Sequence, residues 1–262
     1  MPSAFRLPMA LVLVLLALPA AAEPIGGAKL GVVLMHGKGG TPHRFVSSLA
    51  TRLEEAGVLV AAPTMPWGKG RIYDRTVDEA MAEIDGHVEK LKAEGARRIV
   101  VMGHSLGGNA TLAYAARHPE VNGIACLATG HFPEAFQGKL GGSVAKAKTM
   151  IDAGQGGEKA SFDDLNVGPQ PPAYTTAEIY YSWFAPDGPA AVLPNAARVA
   201  PAIPVLWVDG AQDNLLGNPI TRRLKDILGS RPSFERIEVD AGHIDVPEAA
   251  DRQVVEWLRK LP

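Results

Sequence analysis

The chain has 262 residues, 47% of them hydrophobic and 21% charged, with a formal net charge of −2. This is the composition of an ordinary globular domain and excludes a disordered or fibrous chain; the slight acidity also removes the basic footprint that nucleic-acid binding requires. One α/β domain of this length buries enough apolar surface to stand without metals or disulfides, and the single cysteine, Cys126, allows no intrachain disulfide.

The first element is a leader. A positive start with Arg6, an apolar run from Leu7 to Leu18, and Pro19-Ala20-Ala21-Ala22 before Glu23 are the three parts of a secretory signal peptide. Residues 1–22 are therefore expected to be removed, leaving residues 23–262 as the mature domain. The apolar run is too short to span a bilayer comfortably, and no later run does better, so no stable membrane anchor is expected after cleavage. Export of a chain with one cysteine fits a bacterial periplasm or the cell exterior.

Beyond residue 30, short apolar runs rich in β-branched residues alternate with helical periodicity. Leu30–Met35, Val58–Ala62, Arg98–Met102, Gly123–Ala128, Pro204–Asp209 and Phe234–Val239 read as six strands. Phe45, Leu49 and Leu53 recur every four residues, and Val77, Met81, Ile84, Val88 and Leu91 hold one helical stripe over four turns. A helix from Gly108 to His118 follows the third strand. The last helix opens on Asp245-Val246-Pro247-Glu248, an acidic cap with Pro in the first turn, and carries Ala250, Val254, Leu258 and Leu261 on one face. This alternation predicts right-handed βαβ crossovers and a mostly parallel sheet covered on both faces. Cys126 falls inside the fourth strand and reads as a small core residue.

Residues 129–203 break the rhythm, being far longer than a crossover helix needs. A helical piece around residues 142–153, a Gly/Pro-rich stretch and the aromatic run Tyr180-Tyr181-Ser182-Trp183-Phe184 predict an insertion or small cap over one edge of the sheet.

The strongest chemical signal is Gly103-His104-Ser105-Leu106-Gly107 between a strand and a helix. In that context G-x-S-x-G forms a tight turn that lifts the serine hydroxyl above the sheet, and its glycines relieve the clash that a side chain would create. Ser105 is the expected nucleophile. A serine hydroxyl needs a base, and among seven histidines His243 follows the last strand, at the carboxyl end of the sheet where open α/β folds place their sites. Asp213, in the turn after the fifth strand, is the expected acid that orients it, with Asp209, Asp240 and Asp245 as nearby competitors. Gly37-Lys38-Gly39-Gly40-Thr41 lacks both dinucleotide and Walker spacing, no His/Cys/Glu cluster has metal spacing, and no cofactor is implied.

These residues together resemble the α/β-hydrolase superfamily from about Leu30 to the C-terminus, in the chain order Ser105, Asp213, His243. The resemblance implies a serine hydrolase, esterase- or lipase-like, acting on a small-molecule ester (alternatively a thioester or amide) through an acyl-serine. An acyltransferase and a non-catalytic binding protein on the same fold remain the alternatives. His36-Gly37-Lys38-Gly39-Gly40 looks like the family's oxyanion loop, so the backbone N–H groups of Lys38 and Leu106 would hold the oxyanion while His36 braces the loop. Residues 62–68 resemble the family's loop after the second strand. The antiparallel hairpin that opens larger members has no room here, which implies a trimmed sheet. Trp67, Tyr181, Trp183 and Phe184 are candidate walls of a substrate pocket. Lys38, His43, Arg44, Lys69, Arg71 and Arg75 suggest a basic rim able to attract an anionic substrate.

Overall fold

A computed structural model describes Ile25, residues 29–166 and residues 168–262; the expected signal peptide lies outside these residues. In chain order the elements are β1 (Leu30–Met35), α1 (Ser47–Glu55), β2 (Leu59–Ala61), α2 (Val77–Ala93), β3 (Arg98–His104), α3 (Leu106–Ala115) and β4 (Gly123–Leu127). A 3₁₀ turn at Pro133–Ala135, α4 (Gln137–Asp152), β5 (Lys159–Phe162), β6 (Leu165–Asn166), β7 (Gly168–Pro169), β8 (Ala173–Thr176), α5 (Ala177–Phe184) and α6 (Val192–Arg198) follow. The chain closes with β9 (Val205–Gly210), α7 (Pro219–Gly229), β10 (Phe234–Val239), α8 (Val246–Ala249) and α9 (Asp251–Lys260).

The main sheet has six strands in the order β10-β9-β4-β3-β1-β2, and every pairing within it is parallel. The inner strands β1, β3, β4 and β9 are largely apolar because the pleat sends alternate residues to two different helical layers, whereas the edge strand β10 carries Glu235, Arg236 and Glu238. Val33, Met35, Val101, Ile124, Cys126, Val205 and Trp207 pack on the side of α2, α3 and α7. Leu30, Val32, Leu34, Val100, Met102, Ala125, Leu127, Leu206 and Val208 pack on the side of α1, α8 and α9. Cys126 is fully buried in the first of these layers, and burial pushes its thiol up to about 12.

Register aligns the carboxyl ends on which the site stands. Met35 is paired with Gly103, His104 with Leu127, Leu127 with Val208, and Val239 with Gly210. The turns after β1, β3, β4, β9 and β10 therefore emerge side by side.

Four local readings change. Phe45 stands outside α1 with φ 77°, so the periodic helix begins at Ser47. The helix of the insertion starts earlier, at Gln137. Asp245 makes no side-chain cap bond, and the terminal stripe is split between α8 and α9 at Ala250. The insertion does not sit on one edge: α5 packs on α2 while α6 packs on α3 and α7, spreading it across one helical layer.

Candidate active site

Ser105 occupies the turn between β3 and α3 with φ 56° and ψ −116°, a conformation that L-residues seldom adopt and that persists only where the surroundings enforce it. Gly103 and Gly107 make the turn possible. A Cβ on Gly103 would meet the Gly107 carbonyl carbon and oxygen at 2.3 Å, and one on Gly107 would meet the Met35 carbonyl oxygen at 2.6 Å. Ser105 N–H donates to the Leu127 carbonyl at 2.9 Å, which ties the elbow to β4. The serine retains 8% exposure, enough to leave its hydroxyl reachable.

His243 arrives from the turn after β10. Its Nε2 accepts from the Ser105 hydroxyl at 2.9 Å, and its Nδ1–H donates to Asp213 Oδ2 at 2.7 Å. Asp213 is fixed in turn, its Oδ1 accepting from Leu215 N–H at 2.8 Å. The three competing carboxylates are placed elsewhere. Asp209 is buried and accepts from Trp207 Nε1, Lys225 Nζ and Arg236 Nε; Asp240 binds Gln212; Asp245 stands before α8.

His104 takes part in a way the sequence did not indicate. Its Nε2–H donates to the His243 main-chain carbonyl at 2.8 Å, and the two rings lie 5.1 Å apart. Burial, reinforced by the neighbouring His243, pushes its pKa down to about 4. It is a neutral prop for the histidine loop.

The loop after β1 runs beneath the elbow. A Cβ on Gly37 would lie 3.0 Å from Ser105 Cβ, so only glycine fits this approach. His36 braces the loop: its Nε2 accepts from Met65 N–H at 3.1 Å, its Nδ1–H donates to the Gly37 carbonyl at 2.7 Å, and its own carbonyl accepts from Trp67 Nε1 at 2.8 Å. Gly39 N–H donates to the Trp67 carbonyl at 2.9 Å. Among the described residues the backbone N–H groups of Lys38 and Leu106 have no acceptor, which leaves both available beside Ser105.

The model of the alpha/beta hydrolase family matches residues 32–257. The chain belongs to that family. It is 34% identical to the thermostable monoacylglycerol lipase of Bacillus sp. (strain H-257) over 118 residues, which is 43% of this chain and 46% of that lipase; less than half of the relative's length is thus matched. Among solved structures, the monoacylglycerol lipase of Paleococcus ferrophilus shares 24% identity with a TM-score of 0.63, over 91% of this chain and 96% of that one. A carboxyl esterase from Bacillus coagulans shares 16% identity with a TM-score of 0.66, over 91% and 92%. These structural likenesses concern the fold.

Within this alpha/beta hydrolase, the candidate pocket walls are mostly interior. Trp67, Trp183 and Phe184 are at most 1% exposed and present no surface to a ligand. Trp67 and Trp183 meet edge to face at 5.3 Å, Trp183 Nε1 donates to the Arg75 carbonyl, and Phe184 stacks on Tyr180. The aromatic run anchors the insertion to the core, with only Tyr181 half-buried. The backbone of Gly130, in a stretch the sequence reading passed over, lies close to the Ser105 hydroxyl. A Cβ on Gly130 would fall 3.1 Å from Ser105 Oγ, 3.2 Å from Leu215 Cδ1 and 3.6 Å from His243 Cε1. A glycine three residues past β4 was the available signal.

Half of the basic rim is neutralised. Lys38 is ion-paired with Asp164, and Arg71 makes a fork with Glu83 at 2.8 and 2.7 Å and a further pair with Asp74. Arg75 lies 3.8 Å from the same Glu83, while His43, Arg44 and Lys69 remain as exposed side chains on the outer loops. Among the described residues no group of three or more His, Cys, Asp and Glu side chains is placed to share a metal.

Proposed function

We propose that this chain is a serine hydrolase that cleaves carboxylic esters through an acyl-Ser105 intermediate. The observation that carries the reading is the continuous relay Ser105–His243–Asp213, at 2.9 and 2.7 Å, on a strained elbow beside two free backbone donors. Esters come first among acyl substrates because the relatives are named as a monoacylglycerol lipase and a carboxyl esterase.

In this scheme His243 Nε2 takes the Ser105 proton as Oγ attacks the ester carbonyl. The imidazolium is stabilised by Asp213, which also fixes the tautomer that leaves Nε2 free to accept. The developing oxyanion is held by the N–H groups of Lys38 and Leu106, each such donor being worth about 10²- to 10³-fold in rate. His243 then protonates the departing alcohol, and water repeats the sequence on the acyl-enzyme. Neutral His104 keeps a second positive charge away from the imidazolium as it forms. The scheme requires no cofactor. The leader-like sequence of residues 1–22 supports an exported enzyme, working in a periplasm or the exterior.

The test is hydrolysis of an ester series of increasing acyl length by the purified 23–262 chain and by its Ser105→Ala variant. Turnover of short or medium esters by the first and none by the second is expected. Equal turnover by both would overturn the scheme.

A further inference from the structure

We propose that Asp164, in the insertion, is a positioning residue for the oxyanion loop, acting through a buried ion pair with the Lys38 side chain. This rests on the hydrolase reading above and extends it to a segment far from the elbow in sequence.

The loop from His36 to Gly40 contains three glycines, one of them (Gly39) with φ 66°, so the chain itself does little to hold the direction of the Lys38 peptide. Its turn is closed by Gly40 N–H on the Gly37 carbonyl at 3.0 Å and tied to the neighbouring loop through Gly39 N–H and the Gly40 carbonyl, but among the described residues none of these bonds uses the Lys38 N–H or carbonyl. Lys38 N–H bonds to nothing among the described residues, as an oxyanion donor must before substrate arrives. Beyond that turn, what ties Lys38 itself to the rest of the molecule is its own side chain. The ammonium reaches across to the insertion, donating to Asp164 Oδ1 and to the Leu165 carbonyl at 2.6 Å. It lies 5.5 Å from the Tyr73 ring centroid and 5.7 Å from that of Phe184. The Asp164 side chain is 7% exposed and that of Lys38 10%, and Asp164 Oδ1 also accepts from Leu165 N–H at 2.8 Å.

An ammonium buried against aromatic rings has one acceptable place, opposite its carboxylate. Burial draws the Lys38 pKa down and the Asp164 pKa up, and each partner opposes the other's shift. The pair is therefore a directional strut. It fixes Lys38 Nζ and, through the side chain, restrains the rotation of the peptide whose N–H is left without an acceptor among the described residues. Loss of one partner leaves Lys38 held by the glycine turn alone, and a small misplacement of an oxyanion donor penalises the transition state more than substrate binding.

The experiment is a double-mutant cycle with Asp164→Asn, Lys38→Met and the two combined, reading kcat and KM on a short ester together with the melting temperature. Each single change is expected to lower kcat by about 10- to 100-fold with little change in KM, and Asp164→Glu to recover part of the loss. The double variant, which strands no charge and so keeps the test open if Asp164→Asn folds poorly, is expected to lose no more than either single, since the two side chains act as one unit. A folded Asp164→Asn or Lys38→Met enzyme with wild-type kcat would overturn the inference, as would losses that multiply in the double variant. A wild-type chain inert towards every ester would instead overturn the hydrolase reading.

Discussion

Asp209 and Asp213 stand four residues apart at the end of β9, and their surroundings give them different work. Asp209 is saturated by an indole, an ammonium and a guanidinium, whereas Asp213 faces one imidazole N–H and one backbone N–H. Asp213→Asn is expected to keep the fold and lose about 10⁴-fold in kcat through the wrong histidine tautomer. Asp209→Asn is expected to lower the melting temperature, at a cost of about 1–3 kcal/mol from weakened buried partners, while sparing kcat. The reverse pattern would reassign the acid. His104 adds a pH dependence. Its pKa is depressed to about 4 in the folded chain from 6.5, so the unfolded chain binds a proton that the folded chain refuses. Its contribution is full above that window and falls as pH drops through it, by about 2 kcal/mol between pH 7 and pH 5, and buried His131, pushed down to about 3, steepens the same slope. Urea unfolding at the two pH values measures this, and His104→Gln should flatten that part of the slope. An unchanged slope would show that His104 is not the group responsible.

Among the elements, glycines separate turns that need them from turns that do not. Gly103→Ala places a methyl 2.3 Å from the Gly107 carbonyl and should prevent the elbow from closing, with loss of soluble, active protein. Gly86, inside α2, has open space around its Cβ position; Gly86→Ala should raise stability by about 0.5–1 kcal/mol in the same thermal assay. The six main strands were legible in the sequence, each to within about two residues at either end, the inner ones because buried parallel strands must be apolar on both faces and the edge strand β10 by its interleaving of Phe234, Ile237 and Val239 with charged residues. Helix α2 was legible as well, its stripe of Val77, Met81, Ile84, Val88 and Leu91 being the buried face. The insertion was not. Its strands are two to four residues long and pair locally, β5 with β8 and β6 with β7, too short for any period to show. The break at Ala250 left no mark either, since α8 and α9 continue one apolar stripe. In the site, Ser105, Asp213 and His243 could be proposed from motif and chain order. Gly130, His104 and Asp164 could not, because their places depend on which residues fold against them.

At the scale of the whole molecule, one core layer runs from the sheet through α2 and α3 into the insertion, joining Val33, Trp67, Tyr73, Trp183 and Phe184. The aromatic run is thus part of the main core. Trp183→Ala should cost about 3–5 kcal/mol and lower the melting temperature sharply, while the order of preference among acyl chain lengths stays as in the wild type. A shifted preference at unchanged melting temperature would return Trp183 to the pocket wall. The insertion sharing this core is also what allows Asp164 to reach the oxyanion loop, so stability and catalysis meet in it.

The most direct test of the account is covalent labelling of the 23–262 chain with a fluorophosphonate, read by intact mass and peptide mapping. Attack on phosphorus needs the activated serine and the oxyanion donors together. One adduct per chain on the peptide containing Ser105, absent from Ser105→Ala and strongly slowed in His243→Ala, is the predicted result. No adduct on the wild type, or an adduct that persists in Ser105→Ala, would contradict the assignment of Ser105 as nucleophile.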